Sequence, residues 1–206
     1  MAHPGIKKYY FLASTDAVAR SKIPNASAGM SLGLFAQIGL TAHLYSLLQP
    51  AFGAQRAGLA MGLVAAMAIA GRTFLGWIMP ARMDRRLMAC AGYAVQVAGS
   101  IAFIAAAGTN IALLLLGVVL FGLGFGNGTF LPPLIAQAEF VREDVGRVVA
   151  LIVAIAQGAY SFAPVVFGLI REFDAAGPSP GDVPAFYVAG ALMQALAICG
   201  FLAGRR

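Results

Sequence analysis

The stretch GRTFLGWIMPARMDRR, residues 71–86, ends one long apolar run and precedes the next. Its last five positions carry Arg82, Asp84, Arg85 and Arg86. Basic residues beside an apolar run are typical of the cytoplasmic end of a membrane span. Arg72, inside the run, needs a separate explanation, because an arginine within a membrane helix costs roughly 2.5–3.5 kcal/mol on insertion scales.

The composition of the chain indicates an integral membrane protein. Hydrophobic residues make up 60% of the sequence and charged residues 11%, and the mean hydropathy is +0.83. A soluble domain has about 25% charged residues. The net charge of +6 is spread over short gaps between apolar runs, which argues against a nucleic-acid partner and predicts a lipid bilayer instead.

Several segments are long and apolar enough to cross a bilayer, for which about 20 residues are needed. They are residues 29–48, 57–79, 87–107, 110–134, 147–170 and 184–203. Membrane β-strands would be about half as long and would alternate in polarity. The predicted fold is therefore all-α, a polytopic membrane protein with six transmembrane helices. It consists of a cytoplasmic leader (1–28), partly disordered or lying along the interface, and a transmembrane domain (29–206).

Lysine and arginine are distributed unequally between the two ends of this predicted bundle. One end holds the leader, two loops and the carboxyl tail, with Lys7, Lys8, Arg20, Lys22, Arg82, Arg85, Arg86, Arg142, Arg147, Arg205 and Arg206. The other end holds Arg56 and Arg171. The positive-inside rule predicts a multi-pass protein of the cell (inner) membrane with both termini in the cytoplasm.

The fourth and fifth spans contain glycine, proline and polar residues within apolar sequence, in GLGFGNGTFLPP (122–133) and QGAYSFAPVVFG (157–168). Small residues allow close helix packing, and prolines free carbonyls that line a cavity. Two such spans are typical of a solute pathway at mid-membrane, and tight packing with ordinary kinks is the alternative. The candidate solute-binding residues here are Asn127, Gln157 and Tyr160.

Arg72 is predicted to lie about 10 Å from the cytoplasmic end of its helix, at a rise of 1.5 Å per residue. No acidic residue occurs in the same span, and a guanidinium suits bidentate capture of a carboxylate. Two interpretations stay open: an organic-anion contact in a water-filled cavity, or an arginine that reaches the interface and joins Arg82 and Asp84 in a charge network.

The first span adds four candidates for solute binding: Gln37, Thr41, His43 and Tyr45. Gln37, Thr41 and Tyr45 are four residues apart and are predicted to share one helix face. His43 can take up a proton near neutral pH, which would suit a proton relay; a hydrogen-bonded packing role is the alternative.

The sequence predicts no cofactor, no metal site and no enzymatic activity. Cys90 and Cys199 lie in apolar runs without a partner at metal-ligand spacing, as expected for thiols that act as small hydrophobes. A serine protease would need Gly-x-Ser-x-Gly, whereas Ser161 lies in AYSFA. A metalloprotease would need His-Glu-x-x-His, whereas the histidines are His3 and His43.

With these residues in view, the chain resembles the carboxyl-terminal half of a major facilitator superfamily transporter over residues 29–203. The segment that begins at Gly76 is similar to the superfamily's loop signature, a glycine followed by Asp-Arg-x-Gly-Arg-Arg. The resemblance implies a conformational loop made by Gly76, Arg82, Asp84, Arg85 and Arg86. Asp84 stands where a glycine would be, and residues 77–83 contain no counterpart of the acidic residue, so the resemblance does not extend to the acidic latch of the family.

Two further elements carry the resemblance. Arg72 with Gly76 is similar to the Arg-x-x-x-Gly element in the eighth helix of monocarboxylate-type members, where the arginine binds the substrate carboxylate. Those members have an aspartate four residues earlier for proton coupling, and this sequence has Ala68. QGAYSFAPVVFG is similar to the eleventh helix of the family. The implied function is secondary active transport of a small organic solute, with a monocarboxylate or organic anion as the specific case.

Members of this family have twelve helices in two halves with the substrate between them, and this chain has the pattern of one half. Two interpretations stay open: a fragment that lacks the amino-terminal half, or a homodimer, since the two halves are parallel repeats. The alternative function is a truncated, non-transporting membrane scaffold or remnant. That alternative gains support if no polar cavity separates residues 29–107 from residues 110–203.

Overall fold

The computed structural model describes residues 4–78, 84–126, 128, 134–135, 142–174 and 182–203, with the backbone alone for 4–23 and 142–144. All regular structure in these ranges is helical, which confirms the predicted all-α class. The helices are α1 (Pro4–Phe52), α2 (Ala54–Ile78), α3 (Arg85–Ala106), α4 (Ile111–Phe125), α5 (Arg142–Tyr160), α6 (Ala163–Asp174) and α7 (Pro184–Ala203).

Five segments of the described chain are long and apolar enough to cross a membrane, and each overlaps a predicted span. They are Pro24–Phe52, Ala54–Ile78, Arg85–Ala106, Val145–Asp174 and Pro184–Ala203. The predicted span 110–134 is represented by α4, whose 15 residues cover about 22 Å at 1.5 Å per residue. A hydrocarbon core is about 30 Å thick. Helix α4 alone is shorter than this thickness, and residues 127 and 129–133 of the predicted span lie outside the described residues.

Two boundaries differ from the prediction. Helix α1 begins at Pro4, within the segment predicted as a leader. Helix α3 begins at Arg85, so Arg85 and Arg86 lie in its first turn and not in the preceding loop. The cause is Asp84, whose carboxylate accepts a hydrogen bond from the backbone N–H of Arg86 at 2.9 Å. Such an N-cap satisfies donors that the first turn otherwise leaves unpaired.

The predicted fifth span consists of two helices, α5 and α6, that meet at Ser161 and Phe162. Pro164, in the first turn of α6, has no backbone N–H, so the helical ladder across the junction lacks one hydrogen bond. The Ser161 hydroxyl donates to the carbonyl of Gln157 at 2.7 Å. The interruption predicted from glycine and proline is therefore present as a break in the helix.

Successive spans run alternately up and down the bundle, with α5 and α6 forming one span in the same direction. Gly53 alone joins α1 to α2, with φ at +74°, a conformation that glycine adopts without steric strain. We call this end of the bundle the Gly53 end, and the end where α3 begins the Asp84 end. Helix α1 packs against α2, α4, α5, α6 and α7, and α3 packs against α4 and α7. Helix α1 is therefore the central element.

The buried apolar residues form two clusters, one towards each end. The Gly53-end cluster includes Leu44, Val64, Phe103, Phe121, Phe167 and Phe186. The Asp84-end cluster includes Met30, Leu34, Tyr93, Ile152, Ala197 and Phe201. Helices α1, α3 and α7 each contribute residues to both clusters. The residues that lie between the two clusters along these helices are therefore at mid-height of the bundle.

We expect Gly71→Ala to lower the stability of the bundle, because a methyl group at Gly71 would overlap the backbone carbonyl oxygen of Leu123 on α4. Overpacking of this kind costs about 1–3 kcal/mol. Gly62→Ala is the matched control on the same helix, since no atom lies within 4 Å of the added methyl group. Thermal unfolding in detergent measures both variants. An equal effect of the two substitutions would contradict the α2–α4 contact.

Candidate functional site

A layer of buried polar side chains lies between the two apolar clusters. The Ser100 hydroxyl donates to Gln194 Oε1 at 3.4 Å, and Gln194 Nε2 donates to Gln96 Oε1 at 3.4 Å. All three residues are buried, and Gln194 and Ser100 have no exposed surface. The layer joins α3 to α7 at mid-height, where apolar packing is otherwise continuous along the helices.

Gln37 on α1 lies at the same level, between Leu34 of one cluster and Leu40 of the other. Its side chain has no exposed surface. Within the described part of the chain, neither atom of its amide has a hydrogen-bond partner. Leaving a buried polar group unpaired costs about 1–3 kcal/mol. Gln37 is thus a buried amide at mid-height whose donor and acceptor are both unpaired within the described part of the chain.

Arg72 on α2 also reaches this level. Its side chain is exposed, and its Nε donates to the carbonyl oxygen of Gly126 at 3.2 Å. Arg72 lies six residues before the end of α2 at Ile78, which places its Cα about 9 Å inside the helix. The guanidinium is therefore held by a backbone oxygen of the α4 segment and still presents surface outwards.

The glycine-rich segment at the end of α4 brings these groups together. A methyl group at Gly124 would lie 2.5 Å from Cγ of Gln96. One at Gly126 would lie 3.3 Å from Cβ of Arg72, and one at Gly128 would lie 2.7 Å from Oε1 of Gln37. Because glycine has no side chain, three helices can pack closely against this one segment. Polar groups of α1, α2 and α3 therefore converge on Gly124, Gly126 and Gly128.

Helix α2 has two different edges. Phe74 lines an apolar groove against α3 and α4, whereas Arg72 contacts Gly126. Residues two apart on an α-helix point about 160° away from each other, since each residue turns the helix by about 100°. Arg72 therefore lies on the edge of α2 away from the apolar groove.

The predicted shared face of Gln37, Thr41 and Tyr45 is not a single polar surface. Gln37 is fully buried, whereas Tyr45 is 40% exposed. The Thr41 hydroxyl donates to the carbonyl of Gln37 at 2.7 Å. Each step of four residues rotates the side-chain direction by about 40°. The three side chains therefore turn from the core at Gln37 towards the surface at Tyr45.

His43 makes a helix-packing contact. Its Nε2 lies 2.9 Å from the carbonyl oxygen of Pro164, an acceptor only, so Nε2 carries the hydrogen. Its ring packs edge-on against Phe186 with the centroids 5.9 Å apart. This geometry ties α1 to α6 and α7 and matches the packing interpretation of His43.

The remaining candidates are dispersed. Gln157 and Gly76 are exposed, and Tyr160 packs against the Asp84-end cluster. Asn127 and Arg82 lie outside the described residues. The structure therefore brings Arg72 and Gln37 to one segment and leaves Gln157, Tyr160 and Tyr45 without a described contact to it.

The basic pair after Asp84 has a structural role in the bundle. Arg85 Nη1 donates to the carbonyl of Leu134 at 2.7 Å. Arg86 is only 2% exposed, and its Nη1 lies 3.4 Å from the carbonyl oxygen of Phe201. Asp84 caps α3. These contacts connect the start of α3 to the end of α7 and to Leu134.

Sequence reasoning missed Gln96, Ser100 and Gln194. A signal was available, because Gln96 and Ser100 lie four residues apart, and each of the two spans is otherwise apolar around its glutamine. Polar side chains in membrane helices commonly face other helices and hydrogen-bond across them. The pairing between α3 and α7 depends on the tertiary contact and has no sequence signature.

No three His, Cys, Asp or Glu side chains among the described residues come close enough to hold a metal ion. No protein-family model matches the chain, and a search of curated proteins found no match. The site is therefore interpreted from its own residues.

We expect the glutamines of this layer to respond differently to replacement by methionine, which has a similar size. Gln194→Met removes the partners of Ser100 and Gln96 and should lower the free energy of unfolding by about 1–3 kcal/mol. Gln37→Met removes an amide that has no described partner and should leave stability unchanged or higher. Unfolding in detergent measures both, and equal destabilisation would contradict the assignment of Gln37.

Proposed function

We propose that the chain is one half of a membrane transporter for a small organic anion, with a monocarboxylate as the specific substrate class. In this proposal the chain is a six-span protein of the cell (inner) membrane related to the major facilitator superfamily. The missing amino-terminal half, or a second copy of the chain, supplies the other wall of the pathway. The solute lies against Arg72 and the α4 glycine segment.

The observation that carries this proposal is the position of Arg72. Arg72 is an exposed residue of a long apolar helix, about 9 Å from its end, on the edge away from the apolar groove. An arginine facing hydrocarbon at this depth is unfavourable, and such residues face a bundle interior or a water-filled cavity. Its Nη atoms suit a carboxylate. A cavity between this edge and a partner satisfies both requirements.

The pattern of burial supports a partner that covers the lightly buried spans. In the most apolar windows of Ala54–Ile78 and Val145–Asp174, 17% and 22% of the residues are buried, against 50% for Pro24–Phe52 and for Arg85–Ala106. Both lightly buried spans pack against α1. Their exposed surfaces carry Arg72, Gln157 and Ser161. Polar groups on lightly buried spans favour a surface that is covered by protein or water over one that is covered by lipid.

We expect Arg72→Ala to reduce uptake of a labelled monocarboxylate into proteoliposomes by about 10- to 100-fold, because hydrogen bonds to charged groups contribute about 1.5–3 kcal/mol. Arg147→Ala is the matched control, since Arg147 is also exposed but lies in the second turn of α5. Equal uptake by the parent and Arg72→Ala would remove the anion role of Arg72.

The proposed orientation has its own test, in a background in which Cys90 and Cys199 are replaced by alanine. Gln55→Cys lies at the Gly53 end and Arg147→Cys at the Asp84 end. We expect a membrane-impermeant thiol reagent added outside intact cells to label Gln55→Cys and to spare Arg147→Cys until the cells are opened. The reverse pattern would place the termini outside, against the positive-inside distribution.

The alternative function is a non-transporting scaffold, and one observation favours it. Two cavities of about 320 and 490 Å³ are lined mainly by apolar residues, and Gln37, Gln96 and Gln194 are buried within packed helices. This alternative would be supported if the chain showed the expected topology but no uptake. The absence of uptake would have to hold for the chain alone and for the chain together with an amino-terminal six-helix half.

A further inference from the structure

The surface of α2 opposite Arg72 carries two grooves along a single seam. The groove nearer the Gly53 end has a volume of about 320 Å³ and is lined by Arg56, Leu59 and Leu63 of α2 and by Ile111 and Leu115 of α4. The groove nearer the Asp84 end measures about 490 Å³ and is lined by Gly and apolar residues of α2, α3 and α4. From Arg56 to Leu75 the seam runs about 28 Å at 1.5 Å per residue, close to the thickness of a hydrocarbon core.

The two grooves differ in charge. Among the described residues, the lining of the groove near the Asp84 end contains no ionisable side chain. The groove near the Gly53 end has Arg56 at its rim, and no acidic residue of the described chain lines it. Arg56 is exposed and lies in the first turn of α2, where backbone N–H groups and the helix dipole also favour an anion. The residue before this helix is Gly53, which has no side chain to cap those donors.

We propose that the groove near the Gly53 end is a binding site for one phospholipid with a negatively charged headgroup. The headgroup phosphate pairs with the Arg56 guanidinium beside the start of α2. One acyl chain lies in the groove between Leu59, Leu63 and Leu115. Charge complementarity at the rim and an apolar channel leading from it identify a lipid, and not a soluble anion, as the occupant.

The dimensions of the groove fit this occupant. From Arg56 to Leu63 the groove follows α2 for about 10 Å, which is most of the half-thickness of a hydrocarbon core, about 15 Å. Each methylene group buried there contributes favourably, so the groove alone would hold any lipid of suitable length. Arg56 adds the preference for negative charge. The inference needs the chain to be in a membrane, as in the proposed function, but it does not need transport.

The test is native mass spectrometry of the full chain in detergent, with phosphatidylglycerol or phosphatidylcholine of identical acyl chains added. We expect the parent to retain roughly fivefold more phosphatidylglycerol than phosphatidylcholine, the preference that one basic residue near the membrane surface confers. Arg56→Gln should bring the two lipids to equal retention. Arg147→Gln, which replaces an exposed arginine on α5, should keep the parent's preference.

Two further measurements identify the occupant of the groove. Leu59→Trp enlarges a side chain that is 69% exposed and lines the groove, and should reduce retention of both lipids without disturbing the core. Inorganic phosphate should not compete with phosphatidylglycerol. Equal retention of the two lipids by the parent, an unchanged preference in Arg56→Gln, or displacement by phosphate would each overturn the proposal. None of these outcomes bears on uptake of monocarboxylates, so failure here is distinguishable from failure of the proposed function.

Discussion

The close approach of three helices to the glycine segment of α4 is the constraint on which the middle of the bundle depends. A methyl group at Gly124 would overlap the carbonyl oxygen of Gly92, and one at Gly126 would overlap that of Ala68. Backbone atoms cannot move aside as flexible side chains can, so these positions accept only glycine at this spacing. The contact brings polar groups of α1, α2 and α3 to one level. The glycine pattern therefore determines both the packing of the helices and the position of the candidate site.

Buried amides have a particular importance in a bundle that is apolar inside and outside. Gln96, Ser100 and Gln194 are joined by two hydrogen bonds, although Gln96 Nε2 has no partner among the described residues, and such a network helps to align two helices. Gln37 is different, because its amide is buried without a described partner beside the segment that holds Arg72. A role in helix packing explains Gln96, Ser100 and Gln194. Gln37 and Arg72 both lie at this segment, which is where the proposed function places the solute.

Helix α2 separates two surfaces of unlike chemistry. One edge carries Arg72, and the opposite edge carries the apolar seam. An edge of continuous hydrophobic groove is suited to lipid, while a guanidinium at mid-depth requires water or protein. The two proposals for this chain, an anion pathway beside Arg72 and a lipid groove beside Arg56, therefore occupy opposite sides of the same helix. Each has a test that leaves the other unaffected.

Composition and apolar run length determined the all-helical class and the overlap of the five long apolar segments with predicted spans, because these follow from local polarity. The break in the fifth span follows from the missing N–H of proline. Only the tertiary structure decided that Gln96 and Gln194 pair, that His43 bonds to Pro164 and that Arg86 is buried at the end of α7. These contacts join residues about 100 positions apart. Their formation depends on helix rotation and crossing, which no local pattern specifies. The start of α3 at Arg85 lies between the two cases, because the N-cap of Asp84 is a local interaction but the cluster of charges around it also fits a loop.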